Sequence, residues 1–255
     1  MSAFKGLYIK ELKISRALFF AGIIALNVIT ILSLALREYF NQSEIPAGIF
    51  LFVIAIHIFY IPVLLLSSLT TEGHSQLWLH NPNNGAKLVL AKLAAGLTYY
   101  LISMVASIFL TKFALNNVTH LEPFTAFEGG MPILFMMGVA ITLGTIYLSV
   151  WIFFYWTVYH AIKNIPFLRN IRWLFLFVFW ITITVVGEFI QSQPFYQKLL
   201  EYGAINVDAF DNNVVSVNNF FIEMDLNIIS VALGIVLTIV VFLVSVWLLE
   251  RKVEV

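Results

Sequence analysis

Cysteine is absent from the 255 residues of the chain, which excludes disulfides, thiolate metal sites and cysteine nucleophiles. Charge is scarce too. Asp, Glu, Lys and Arg make up 11% of the sequence, against about 25% in an average soluble domain. No P-loop, His-Glu-x-x-His zinc motif, Gly-x-Ser-x-Gly elbow or dinucleotide fingerprint occurs. Nor is there the basic face of a nucleic-acid binder, an internal repeat or a low-complexity tract. Active transport, if that is the task, takes its energy from elsewhere.

What is present is apolar. Hydrophobic residues make up 61% of the chain and the mean hydropathy is +0.93, values of an integral membrane protein. Runs long enough to cross a bilayer fall at about 17–36, 46–69, 88–115, 131–159, 171–190 and 226–249. The fold class is all-α, one transmembrane domain over 1–255 with six transmembrane helices and both termini on the same side. The runs 88–115 and 131–159 exceed the roughly 20 residues a bilayer requires, so these helices tilt or protrude. Orientation follows from the basic residues. An inside N-terminus puts Lys5, Lys10, Lys13, Arg16, Lys87, Lys92, Lys163, Arg169, Arg172, Arg251 and Lys252 in the cytoplasm, and only Arg37, Lys112 and Lys198 outside.

Residues 4–16 read as an interfacial helix lying on the membrane. At about 100° per residue, Phe4, Leu7, Tyr8, Leu12 and Ile14 gather on one side and Lys5, Lys10, Lys13 and Arg16 on the other. Glu11 falls inside the apolar arc, where a carboxylate requires a basic partner; a frayed surface position is the alternative. The apolar run that follows has no small-residue cleavage site, so it reads as a retained span rather than a signal peptide.

Thr70 to Lys92 is the longest polar interruption in the first half of the chain. Glu72 and Gly73 lead in, Leu77, Trp78 and Leu79 form an apolar patch, and Asn81-Pro82-Asn83-Asn84-Gly85 supplies a stop. A short cytoplasmic helix carrying Leu-Trp-Leu needs a protein to dock on. On the other side, 191–225 is the only sizeable outer segment, and Gln191 to Leu200 is suited to short helices that dip back towards the membrane.

Two ionisable groups sit inside apolar runs, where desolvation is costly. His57 lies five residues before Pro62, the expected kink; it either hydrogen-bonds a neighbouring helix or lines a substrate path. Glu188 lies near the outer end of the fifth span, either hydrated among headgroups or in a cavity or gating role. The pair is too sparse for a proton-coupled carrier, and the two lie at different depths, which argues against an intramembrane enzyme.

The helix with Lys10-Glu11-Leu12, the first cytoplasmic loop and the ending Leu248-Leu249-Glu250-Arg251-Lys252-Val253-Glu254-Val255 together resemble the membrane subunits of type-2 ABC exporters, the ABC-2 permeases. In that family the loop runs from a carboxylate and glycine through a leucine-rich turn and a proline to a lysine that opens the third span. Those places fall here on Glu72, Gly73, Leu77 with Trp78 and Leu79, Pro82, and Lys92, with departures at Asn81 and Gly85. The resemblance implies a permease that pairs with a second copy or a related permease, surrounded by membrane lipid. It also implies two cytoplasmic ATPase subunits that hold the ATP and Mg, this chain binding no cofactor itself. The loop helix would be the coupling helix, with Glu72 contacting the ATPase or the N-terminal helix, and 191–225 would form short outer re-entrant helices. The function implied is export of an amphipathic substrate (peptide, toxin, antibiotic or lipid) across a bacterial cytoplasmic membrane. The alternative is a permease-like sensor or partner-binding subunit that moves no cargo.

Overall fold

The computed structural model describes residues 3–75, 83–115, 131–167, 169–202 and 227–251. Helix is the only extended regular element among them. In chain order the helices are α1 (Ala3–Phe40), α2 (Ile45–Ile56), α3 (Tyr60–Ser75), α4 (Gly85–Leu115), α5 (Met131–Ala161), α6 (Arg172–Gln191), α7 (Pro194–Glu201) and α8 (Ile228–Arg251). A 3-10 turn at His57–Phe59 joins α2 to α3. Six spans among the described residues are long and apolar enough to cross a membrane, with Ile45–Gly73 counted as one. The protein is thus a multi-pass membrane protein. The helices cluster into two compact units, residues 1–153 and 154–254, with the boundary inside α5.

The expected interfacial helix at 4–16 is not separate. It is the beginning of α1, which runs unbroken for 38 residues. Nothing between Lys10 and Ala17 interrupts a helix: there is no proline or glycine, and Ser15 is buried as part of a stripe with Leu7, Glu11, Leu26 and Ser33. That stripe packs on α4, while Phe20, Ile24, Val28 and Ile31 point outward. Exposed apolar side chains at this density are unsustainable in water and are covered by acyl chains in a bilayer. Glu72 and Gly73 likewise lie within α3, not in a loop before a separate helix. At the next helix start, the Asn84 side chain accepts from the Ala86 N–H at 2.7 Å. This N-cap begins α4 at Gly85, ahead of the expected residue 88.

The first unit is organised around α4. Leu26, Phe50, Val53 and Ala114 form one core cluster, and Ala47, Ile54, Ile61, Tyr100 and Met104 a second. Equivalent contacts at both ends show that α1 and α4 run parallel, with α2 and α3 antiparallel to them. Close approach depends on small residues, as is usual between helices in lipid. A Cβ on Gly96 would lie 3.2 Å from Ile61 Cγ2, and Ile61 is itself fully enclosed. In the second unit, aromatic rings collect beside the connection between α5 and α6. Tyr159 packs against Trp173 at 5.1 Å and receives the Arg172 guanidinium 4.5 Å above its ring. An aromatic and basic girdle of this kind suits a headgroup boundary.

Of the outer segment 191–225, expected to form short helices, α7 is described and starts at Pro194 behind an extended Gln193, whereas the part from residue 203 lies outside the described residues. Asn227 ties this segment to the next span. Its side-chain amide donates to the Leu200 carbonyl at 2.6 Å, and its oxygen accepts from the Ile229 N–H at 3.0 Å, capping α8.

Gly96→Val is expected to lower stability by about 1–3 kcal/mol, because the enclosed Ile61 cannot retreat. Gly187→Ala, whose Cβ meets nothing within 4 Å, should leave it unchanged. Tryptophan fluorescence during thermal unfolding in detergent checks both, and equal melting of the two variants would refute the close-packing account.

Candidate functional site

Four charged side chains from three separate stretches of the sequence meet among α1, α3 and α4. Lys92 Nζ lies 2.9 Å from Glu11 Oε1, 2.6 Å from Glu72 Oε2 and 2.7 Å from Ser68 Oγ. An ammonium has three protons, and each has an acceptor. Ser68 in turn donates its hydroxyl proton to Glu11 Oε2 at 2.7 Å. Lys10 completes the set by pairing with Glu72 Oε1, and lies 3.2 Å from Glu11 Oε1. Two cations and two carboxylates leave no net charge.

Burial makes this arrangement consequential. The side chains of Glu11 and Lys92 are only 2% and 3% exposed, and that of Glu72 is 8% exposed; Lys10 closes the cluster from outside at 39%. Ions taken out of water are tolerated when paired and fully hydrogen-bonded, whereas a broken pair is strongly destabilising. Helix periodicity explains how each group reaches the site. Glu11 sits one turn from Leu7 and one from Ser15 on the face of α1 that packs on α4, and Leu7 closes over Leu88 and Ala91 beside Lys92.

Further polar ties bind α1 to α4 next to the cluster. Tyr99 Oη donates to the Leu12 carbonyl at 2.8 Å. Thr98 uses its own proton on Ala94 O, so Tyr8 Oη is the donor in the 2.8 Å contact with Thr98 Oγ1. Phe19 stacks on Tyr99 with centroids 4.3 Å apart.

Helix length sets the depth of the site. At about 1.5 Å per residue, Lys92 to the end of α4 covers roughly 35 Å, and Glu11 to the end of α1 roughly 43 Å. A hydrocarbon core is about 30 Å thick. Each helix can therefore cross the membrane on one side of the cluster, and the cluster falls at the membrane margin. Residues 76–84, which link α3 to α4, leave from that same end.

The other expected site residues are distributed as follows. Of the two contacts expected for Glu72, the one with the N-terminal helix is present: its carboxylate faces inward onto Lys10, and onto Lys92 of α4. Leu77, Trp78, Leu79 and Pro82 lie outside the described residues. Lys13 and Arg16 are exposed and take no part in the ion pairs of the cluster. His57 is buried in the break between α2 and α3. Pro62 cannot donate to the Ile58 carbonyl, and the helix tightens to 3-10 just before it. His57 Nδ1 lies 2.6 Å from Val53 O and so carries a proton, and Nε2 lies 2.9 Å from Ser103 Oγ. Both ring nitrogens are engaged within the protein, and Tyr60 stacks on the ring at 5.6 Å. Glu188 is exposed on the last turn of α6. Among the described residues no group of three or more His, Cys, Asp or Glu side chains is placed to hold a metal ion.

Lys92→Met leaves two buried carboxylates with Lys10 alone and is expected to cost about 3–5 kcal/mol. Glu11→Met combined with Lys92→Met leaves the neutral Lys10–Glu72 pair, so the double variant should be more stable than Lys92→Met by itself. Melting temperatures in detergent of the wild type, the two single variants and the double variant test this coupling. Simple additivity of the two losses would mean that the groups do not act as a unit.

No protein-family model matches the chain, and no solved structure matches it. The chain is similar to an uncharacterized protein, YhcE, of Bacillus subtilis (strain 168). The two are 29% identical over 269 aligned positions, covering 100% of each.

Proposed function

We propose that this chain is the permease subunit of an ATP-driven exporter of the type-2 ABC kind, carrying an amphipathic substrate out of a bacterial cell. The reading rests on one observation above others. The buried cluster of Lys10, Glu11, Glu72 and Lys92 fastens α1, α3 and α4 together immediately beside the short 76–84 connection. A force applied to that connection reaches three helices at once. This suits a chain with no nucleotide motif of its own and a Leu-Trp-Leu patch in the segment that would dock on an ATPase.

In this scheme two cytoplasmic ATPase subunits hold ATP and Mg, and the patch Leu77-Trp78-Leu79 seats in a groove of one of them. A buried aromatic anchor is the usual dominant element of such an interface. Closure of the ATPase pair moves the segment, and α3 and α4 follow with α1 locked to them. The described helices then shift against a second permease copy and open a path between the two. The break at His57 lies about 16 Å along the helices from the cluster. It gives the second span a place to bend within the membrane.

Affinity purification from native membranes tests the proposal. A P-loop ATPase is expected to co-purify with the wild type and to be lost with Trp78→Asp, the variant remaining monodisperse in detergent. Glu72→Gln should retain the ATPase but reduce substrate-stimulated ATP hydrolysis roughly tenfold, an uncoupling of about 1.4 kcal/mol. Recovery of no ATPase from intact membranes under mild conditions would sink the assignment. An ATPase whose rate responds to no amphiphile would point instead to a sensor that moves nothing.

A further inference from the structure

At the end of the first unit opposite the ion cluster, side chains of α1, α2 and α4 line a small crevice that is open to the surroundings. Its lining includes Thr30, Leu34 and Arg37 of α1, Phe50 of α2, and Leu110 and Phe113 of α4. The walls are almost wholly apolar, and the one charge is the Arg37 guanidinium at the rim. Arg37 is half-buried, and no carboxylate of the described residues lies within ion-pairing distance of it. From these features we infer that the crevice is a binding site for a single membrane phospholipid, the guanidinium holding its phosphodiester and the apolar walls holding part of an acyl chain.

Depth argues for lipid over a soluble anion. Along α1, Arg37 is about 39 Å from Glu11. With Glu11 at one margin of a hydrocarbon core about 30 Å thick, Arg37 reaches the headgroup layer of the opposite leaflet, since the whole bilayer measures about 40–45 Å. Thr30 is nearer the cluster by about 10 Å, and Leu110 lies about 27 Å from Lys92 along α4, at acyl depth. The order from the surface inward is therefore cation, then apolar walls, which is the order of phosphate and chain in a lipid. Thr30 Oγ1 gives its proton to Leu26 O at 2.8 Å, so the hydroxyl adds no donor to the crevice. Arginine is suited to the role because its planar donors match two phosphate oxygens together. The charge of the site favours an anionic lipid.

The full chain in mild detergent, titrated with phosphatidylglycerol and read by native mass spectrometry, tests the site. One lipid is expected to bind ahead of the rest. Arg37→Gln should weaken that step roughly tenfold, as loss of a charge-assisted contact does. Leu34→Trp should also weaken it, by filling the chain space while leaving the guanidinium in place. Lys198→Gln, a basic residue on α7, should have no effect, and inorganic phosphate in large excess should not displace the lipid. Unchanged lipid binding by Arg37→Gln would overturn the proposal, reducing Arg37 to a side chain that reaches bulk headgroups. Weakening by Arg37→Gln with full binding by Leu34→Trp, or displacement by phosphate, would overturn it in favour of a simple anion site. Helical content by circular dichroism separates either result from misfolding.

Discussion

The Lys92 ammonium is the constraint on which the first unit depends. It lies in α4, and its three protons go to a carboxylate of α1, a carboxylate of α3 and a hydroxyl of α3. In a bilayer, helix contacts between apolar faces are weakly directional, because lipid tails satisfy the same surfaces equally well. A saturated buried ion cluster is different. It has one geometry in which every donor has an acceptor, so it fixes the rotation and axial register of three helices at once. The Tyr8, Tyr99 and Phe19 contacts extend that registration up α1.

Away from the cluster the helices are held by shape. Gly96 admits Ile61, Gly138 admits Ile108 and Gly144 admits Ile58, each within 3.1–3.3 Å of an added Cβ. Hydroxyl side chains in the packed faces, such as Ser107 and Thr111, return their protons to the preceding turn of their own helix. They are thereby small and electrically quiet, and allow close packing without an unmet donor. Polar links between spans at mid-depth are His57 to Ser103 and Tyr100 to Thr142. The first of these is at a break. It sits where Pro62 has already disturbed the hydrogen-bond ladder, so a side chain compensates at the place where the backbone is weakest.

Much of this was legible in the residues, and what was not has identifiable causes. The six apolar runs became helices because length and hydropathy alone decide a membrane span. Glu11 stood out as a carboxylate on an apolar face and proved to be paired. Its partner Lys92 reads as an inside-facing charge and as the lysine that opens the third span, neither of which pairs it with Glu11, although Leu88, Ala91, Ala95 and Gly96 around it mark a packed face. Ser68 gave no signal, since a hydroxyl is ordinary on any helix. The division of α1 at residue 16 followed amphipathic character, which describes surroundings and does not break a helix. Pro62 located the bend, but Ser103 is 46 residues from His57, and no local pattern carries a pairing over that distance. Glu72 reads as part of a loop because it stands in the polar stretch that begins at Thr70, yet polarity does not end a helix that tertiary contacts hold.

The spacing of the cluster along the chain also bears on biogenesis. Glu11 and Lys92 are separated by 81 positions, and a ribosome makes the first two hydrophobic segments before it reaches the lysine. During that interval Lys10 is the one cation of the cluster already made, and Glu11 and Glu72 must share it. The third segment brings the second cation, so the contact between α1 and α3 at this site is complete only when α4 is present. A chain truncated before Lys92 would present its quality-control machinery with an unbalanced carboxylate.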